Sequence, residues 1–188
     1  MPAEPTLARA ADSVLVLVDV QQRLAAAMPP AARAAVIRNC RALLAAAARL
    51  SLPVLATEQY PKGLGPTEPD LLEALPPGAI RIEKTCFSCA GVSPFAQALD
   101  ALARPQVILA GMEAHVCVLQ SALELRAAGR DVFVVEDACS SRNPAHHANA
   151  MARMRAAGVI VTNAESVLFE WLRDAAHEHF KAVSALIR

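Results

Sequence analysis

Short runs of aliphatic residues alternate with helical patterns along the chain, and this alternation constrains the fold more than any other feature. The run at 13–19, SVLVLVD, is apolar almost to its end, which is typical of a strand buried on both faces of a parallel sheet. Further strand-like runs lie at 53–57, 79–84, 106–111, 131–137 and 158–163. Helical patterns lie at 36–50, 91–103, 114–128, 144–157 and after Glu165. This order predicts a three-layer α/β/α fold with right-handed crossovers.

The chain is long enough for one domain, and neither a linker nor an internal repeat divides it. We therefore predict a single domain over 1–188. The segment 59–77, QYPKGLGPTEPDLLEALPP, is rich in proline and glycine, and it predicts a long loop near the site. The last residues, 173–188, predict a terminal helix that packs on the domain or joins a partner subunit.

Charge and apolar patterning exclude several kinds of partner. Lys plus Arg and Asp plus Glu both number 18, and no basic block stands out, which argues against nucleic acid or an anionic membrane. No apolar run approaches the roughly 18 residues of a membrane span, and the segment 1–12 lacks the apolar core of a signal peptide. Five cysteines, an odd number, favour a reducing, cytoplasmic setting.

Three polar residues follow predicted strands at the edge where open parallel sheets bind their ligands. Asp19 closes the first aliphatic run, where it could cap the next helix or act as a base in a partly dry cleft. Lys84 ends the third run in a chain whose other lysines are Lys62 and Lys181. Its ammonium could favour a neighbouring thiolate or carboxylate, or it could extend into water.

Cys117 lies in the first turn of the helix predicted after the fourth strand, in the segment GMEAHVC. A helix N-terminus lowers the pKa of a thiol and can hold an oxyanion, although a buried structural cysteine is the common alternative. His115 is a poor base for this thiol, because residues two apart on a helix project about 200° from one another.

The segment CFSC contains a lone C-x-x-C pair, Cys86 and Cys89. A structural zinc site would need a second such pair, which is missing, so zinc binding is not expected. Thiol–disulfide redox chemistry at Cys86 and Cys89 remains an alternative function. No G-x-G-x-x-G, Walker loop or G-x-S-x-G motif is present, which removes the common nucleotide-binding and serine-hydrolase interpretations.

Three segments together resemble the isochorismatase-like cysteine hydrolase superfamily, in its isochorismatase-domain, nicotinamidase-related branch. They are VLVLVDVQQRL (14–24), RIEKTCFSCA (81–90) and VILAGMEAHVCVLQSALELRAAGRDVFVVEDACSSR (107–142), and the resemblance covers nearly the whole chain. It implies a Rossmann-like, six-stranded parallel sheet of order 3-2-1-4-5-6. In that order, Asp19 and Cys117 are neighbours, and Lys84 approaches from the third strand.

The same resemblance implies a cysteine hydrolase that cleaves an amide-type C–N bond of a small molecule through a thioester, with Asp19, Lys84 and Cys117 as a catalytic triad. A cis peptide bond is implied between Met112 and Glu113, and the backbone N–H groups of Glu113 and Cys117 would form the oxyanion hole. Nicotinamidases bind a metal through histidines, and the segment ATEQYPKGLGP (56–66) has none, so neither a metal nor a cofactor is expected.

Some expectations are less specific. Gln22, Tyr60 and Phe87 lie near the predicted site and are candidate substrate contacts. Family members commonly associate, so we expect a homo-oligomer, a dimer or larger. The alternatives to the amidase are vinyl-ether hydrolysis of the isochorismatase type, redox chemistry at Cys86 and Cys89, and a non-catalytic oligomeric scaffold.

Overall fold

A six-stranded sheet forms the centre of the protein in a computed structural model that describes residues 7–187. The strands are β1 (Ser13–Val18), β2 (Val54–Gln59), β3 (Ile80–Lys84), β4 (Gln106–Met112), β5 (Asp131–Ser140) and β6 (Ile160–Thr162). All neighbouring strands are parallel, and their order is β3-β2-β1-β4-β5-β6. Both the strand order and the six predicted runs are confirmed.

Helices cover both faces of this sheet. They are α1 (Gln22–Ala26), α2 (Pro30–Arg49), α3 (Pro61–Leu64), α4 (Pro69–Ala74), α5 (Ser93–Ala101), α6 (Leu119–Ala127), α7 (Pro144–Ala156), α8 (Ala164–Leu172) and α9 (Phe180–Ser184). A π-helical turn, Ala114–Val118, precedes α6. Asparagine side chains cap two N-termini: Asn143 accepts a hydrogen bond from the Ala145 N–H, and Asn163 accepts one from the Ser166 N–H.

Alternate residues of β1 belong to two separate apolar cores, which explains its continuous aliphatic sequence. Leu15 and Leu17 lie in the core that includes residues of α2 and α8. Val14 and Val16 lie in the opposite core, which includes residues of α5, α6 and α7. Every residue of β1 is buried, and its one polar side chain, Ser13, begins the strand and donates a hydrogen bond to the Arg9 carbonyl.

Gly111 sets the distance between β1 and β4 near their carboxyl ends. Its φ is +143°, and a Cβ atom at this position would lie 2.0 Å from the Val18 carbonyl oxygen. Any side chain would therefore collide with the main chain of the adjacent strand. Asp19 follows Val18 directly and takes a positive φ of 51°, which turns the chain away from the sheet.

Two sequence predictions were wrong in extent. The predicted loop at 59–77 contains α3 and α4, because Pro61 and Pro69 lie in the first turns of these helices, where a proline needs no N–H partner. The terminal helix predicted over 173–188 begins only at Phe180, the first residue of α9. Arg173, the first residue of the predicted helix, instead has a positive φ and follows the end of α8 at Leu172. Residues 1–6 and 188 lie outside the described part of the chain. These positions include both ends of the predicted domain and half of the N-terminal segment 1–12. Among the described residues, no helix combines the length and hydropathy that crossing a membrane requires.

Candidate active site

Asp19 lies at the centre of a buried polar cluster. Its side chain is 0% exposed, and each carboxylate oxygen accepts a short hydrogen bond. The Thr57 hydroxyl donates to Oδ1 over 2.7 Å, and the Lys84 ammonium donates to Oδ2 over 2.6 Å. Since the carboxylate bonds side chains from β2 and β3, it does not serve as the cap of α1, which has no side-chain cap.

Lys84 ends β3 with its ammonium pointing into the cluster. Besides Asp19, the ammonium donates to Gln59 Oε1 at 2.8 Å and to the carbonyl oxygens of Cys86 and Phe87 at 3.2 and 3.0 Å. Its side chain is 0% exposed, so the alternative in which it extends into water is wrong. A buried ion pair is tolerable only when hydrogen bonds also satisfy the remaining donors, and these carbonyl contacts supply them.

Cys117 lies in the π-helical turn between β4 and α6, where its thiol is close enough to Asp19 and Lys84 for both charges to act on it. Burial, followed by the charge of Asp19, raises the pKa of the Cys117 thiol to about 12, and Lys84 offsets only part of this effect. The sequence predicted a lowered pKa at a helix N-terminus. The direction is opposite because the Lys84 charge is already paired with Asp19, and desolvation penalises the thiolate. The resting group is therefore a neutral thiol next to a carboxylate.

The peptide bond between Met112 and Glu113 is cis, as the resemblance implied. The buried Glu113 carboxylate bonds the Arg142 guanidinium, and one of its oxygens lies 3.1 Å from His115 Nδ1. His115 Nδ1 also lies 3.0 Å from Ser141 Oγ, and burial lowers the pKa of this imidazole. The ring lies tilted against His146 of α7, with 4.9 Å between the ring centroids. The side-chain contacts of His115 are therefore with Glu113, Ser141 and His146.

Several residues of the cluster carried no role in the sequence analysis. Thr57 and Gln59 contact Asp19 and Lys84, as described above. Ser121 accepts a hydrogen bond from the Cys89 N–H at 2.8 Å and donates to the Cys117 carbonyl at 2.7 Å. The position of Thr57 near the end of β2, at the same edge as Asp19, was the available signal.

The predicted substrate contacts differ in their surroundings. Tyr60 is 55% exposed and lines a depression of about 500 Å³ together with Lys84, Thr85 and Cys86. Phe87 is 53% exposed, and Gln22 is also exposed, but neither lines this depression. Gln21, the buried neighbour of Gln22, instead binds the main chain of Gln59 and the Gly65 carbonyl. The structure thus brings Tyr60 beside the cluster and leaves Gln22 at the surface.

Cys86 and Cys89 are both free thiols. Cys86 is exposed, whereas Cys89 is buried with its sulfur 3.7 Å from Thr57 Oγ1. A dithiol redox site is expected at a helix N-terminus, and α5 begins only at Ser93. Within residues 7–187, no group of three or more His, Cys, Asp or Glu side chains could hold a metal ion.

Residues 13–166 match the model of the isochorismatase domain family. The chain is 40% identical over 195 residues to isochorismatase domain-containing protein 2 of Macaca fascicularis, an alignment that covers 99% of this chain and 89% of the relative. Its fold matches the MAR1 ribonuclease from Caenorhabditis elegans with a TM-score of 0.91 and 37% identity, over 97% and 92% of the two chains. It also matches the YcaC gene product of Escherichia coli, described as an octameric hydrolase of unknown specificity, with a TM-score of 0.90 and 28% identity, over 98% and 91%.

Proposed function

The chain belongs to the isochorismatase domain family, and on this premise we propose that it hydrolyses an amide-type C–N bond of a small molecule, with Asp19, Lys84 and Cys117 as its catalytic triad. The observation that carries the proposal is the shared carboxylate. Asp19 accepts a hydrogen bond from the Lys84 ammonium on one oxygen, and its charge also acts on the Cys117 thiol. One buried cluster thus contains a thiol that can act as the nucleophile, a carboxylate that can act as the base, and an ammonium whose charge stabilises both the thiolate and the carboxylate.

In the first half of the reaction, Asp19 takes the proton of the Cys117 thiol as the sulfur attacks the carbonyl carbon of the substrate. The raised pKa of the thiol means that the proton leaves during the attack rather than before it. Negative charge develops on the carbonyl oxygen, and the backbone N–H groups of Glu113 and Cys117 form the oxyanion hole that stabilises it. Cys117 lies in the turn that leads into α6, where the helix dipole adds to this stabilisation.

In the second half, Asp19 donates the proton to the nitrogen of the leaving amine or ammonia, and the C–N bond breaks to give a thioester. Asp19 then removes a proton from water, whose oxygen attacks the thioester carbonyl. The C–S bond breaks, the carboxylic acid leaves, and the Cys117 sulfur recovers its proton. Lys84 keeps its proton throughout, because it serves as a fixed positive charge for the thiolate and the carboxylate.

The alternatives explain less of the cluster. A vinyl-ether hydrolase needs no thiol nucleophile beside its carboxylate. A scaffold that had lost the reaction would gain nothing from a buried ion pair, because apolar residues of similar volume often stabilise a protein more. The free state of Cys86 and Cys89, with only one of them exposed, gives no support to a redox function.

This mechanism needs no cofactor, since each step uses water and groups of the chain itself, and we propose a small molecule as the substrate. Assembly into a homo-oligomer is supported by the octameric state of the E. coli neighbour. A reducing, cytoplasmic location keeps the nucleophilic thiol free. A balanced net charge gives no support to RNA as a substrate, despite the ribonuclease name of the C. elegans neighbour.

The decisive experiment screens small carboxamides and ureides for hydrolysis and searches by mass spectrometry for an acyl group on Cys117. We expect Cys117→Ala to abolish both turnover and the acyl adduct. Cys40→Ala, which removes another buried thiol far from the triad in sequence, should keep both. Hydrolysis retained by Cys117→Ala, or an acyl group on Cys86, would refute the mechanism. Single-stranded RNA belongs in the same screen, and its cleavage by the Cys117→Ala variant would point to a different site.

A further inference from the structure

We propose that Thr57 and Cys89 are positioning residues that form a hydrogen-bond relay from the Cys89 thiol through the Thr57 hydroxyl to the Asp19 carboxylate. The relay orients the carboxylate toward Cys117 and satisfies one of its two oxygens. The inference rests on the proposed function, in which Asp19 is the base. It gives the second cysteine of CFSC a role that neither zinc binding nor redox chemistry supplies.

Thr57 holds Asp19 through both main chain and side chain. In the pairing of β1 with β2, Thr57 lies opposite Val18, the residue before Asp19. Its carbonyl oxygen accepts a hydrogen bond from the Asp19 N–H at 3.1 Å, and its hydroxyl donates to Asp19 Oδ1 at 2.7 Å. Thr57 is itself fully buried, so water does not compete for this oxygen.

The direction of the relay follows from the number of protons. A hydroxyl has one proton, and an ionised carboxylate can only accept, so the Thr57 proton must face Asp19. The oxygen of Thr57 is then an acceptor for the Cys89 S–H, whose sulfur lies 3.7 Å away. Burial raises the pKa of the Cys89 thiol, which keeps this donor protonated.

The far end of the relay is tied to the backbone of the nucleophile. Ser121 receives the Cys89 N–H and donates to the carbonyl of Cys117. The relay therefore ends at the Asp19 carboxylate, and its first residue, Cys89, is joined through Ser121 to the main chain of Cys117. A shift of any member changes the orientation of the base relative to the thiol.

Loss of the Thr57 hydroxyl would leave one buried oxygen of Asp19 without its donor. Such a loss favours the protonated carboxyl over the carboxylate, and a protonated Asp19 cannot accept the proton of Cys117. The other titratable groups that face Asp19 are Lys84, Cys117 and Cys89. Burial raises the pKa values of both thiols, so they remain neutral over the acidic and neutral range.

The test measures the rate at which iodoacetamide alkylates Cys117 in the full chain as a function of pH. Peptide mass spectrometry separates this thiol from the exposed Cys86. For Thr57→Val, we expect the acid-side midpoint of the rate to rise by about one pH unit, which corresponds to an about tenfold slower reaction on that side. Thr57→Ser restores the hydroxyl and should restore the profile. Thr162→Val, at a strand threonine outside the cluster, should leave it unchanged.

Cys89 is tested in the same way. Cys89→Ala should shift the midpoint in the same direction by a smaller amount, and Cys89→Ser should return it toward the wild type. A profile for Thr57→Val that superimposes on the wild type, or equal shifts for the Val and Ser variants, would overturn the relay. Asp19→Asn separates the two proposals. If the alkylation rate of this variant still falls on the acid side of the pH profile, Asp19 is not the base of the proposed function. If that fall is lost in Asp19→Asn but keeps its wild-type midpoint in Thr57→Val, only the relay is refuted.

Discussion

Replacement of Lys84 by methionine should destabilise the fold far more than an ordinary substitution, because it leaves the Asp19 charge buried without a partner. Both side chains of the pair are 0% exposed, and their atoms are 2.6 Å apart. Removing one partner of such a pair costs about 3–5 kcal/mol, a large part of the roughly 5–15 kcal/mol that stabilises a typical domain. Methionine fills a similar volume, so the loss reports mainly on charge and hydrogen bonds rather than on a cavity.

The same variant should acquire a pH dependence whose sign follows from proton binding. Without Lys84, folded Asp19 avoids an unpaired charge by binding a proton, while unfolded Asp19 is ionised at neutral pH. The folded state then binds more protons than the unfolded state, so the free energy of unfolding falls as the pH rises. The deficit of Lys84→Met relative to the wild type is therefore smaller at about pH 5 than at about pH 8.

Urea unfolding of the wild type and variants at both pH values measures these differences. The double variant Lys84→Met/Asp19→Asn removes both charges and should recover most of the loss, since no unpaired ion remains. Lys181→Met, at an exposed lysine, should stay within about 0.5 kcal/mol of the wild type. A loss below about 1 kcal/mol for Lys84→Met, or a deficit equal at the two pH values, would refute the idea that this pair is a buried ion pair.

Three further predictions concern stability and use the same unfolding assay. Gly111→Ala should lower the free energy of unfolding by more than about 4 kcal/mol or prevent folding, because its Cβ would overlap the Val18 carbonyl. The control Gly78→Ala, at a φ of +87° with no atom within 4 Å of the added Cβ, should lower it by only about 1–2 kcal/mol, and similar losses for both variants would contradict the close approach. Burial raises the pKa of Cys139 to about 12, so as the pH rises this thiol ionises in the unfolded state before it ionises in the folded state. The free energy of unfolding therefore falls with pH above about pH 9, and Cys139→Ala should reduce this fall by up to about 1.4 kcal/mol per pH unit. An unchanged pH dependence in the variant would refute the prediction. Asn163→Ala removes the cap of α8 and should cost about 1 kcal/mol, which a loss near zero would contradict.

The strands and their order could be predicted because each carries its own signal. A continuous aliphatic run such as 14–18 is compatible with few environments other than a doubly covered parallel strand. Order and pairing were supplied by the resemblance, which placed Asp19, Lys84 and Cys117 on strand ends of one edge. The structure brings these three side chains into one cluster, while their catalytic roles stay predictions.

The remainder of the cluster depends on strand register, which the sequence does not display. Thr57 contacts Asp19 only because it pairs with Val18, and Gln59 contacts Lys84 because the two residues are opposite each other in β2 and β3. The pKa of Cys117 was missed for a related reason. A helix N-terminus is visible in the sequence, but the prior pairing of Lys84 with Asp19 and the depth of burial are properties of the assembled fold.

The contact between Gly111 and Val18 lies apart from the exposed residues that are candidate substrate contacts. The close approach of Gly111 to the Val18 main chain sets the spacing of β1 and β4, and with it the relative placement of Asp19 and Cys117, which the proposed mechanism uses as base and nucleophile. The exposed rim, including Tyr60 and Phe87, comes instead from the segments that follow β2 and β3. If the proposed mechanism holds, exposed residues such as Tyr60 and Phe87 could be exchanged to accept a different acyl group without changing the placement of Asp19 and Cys117.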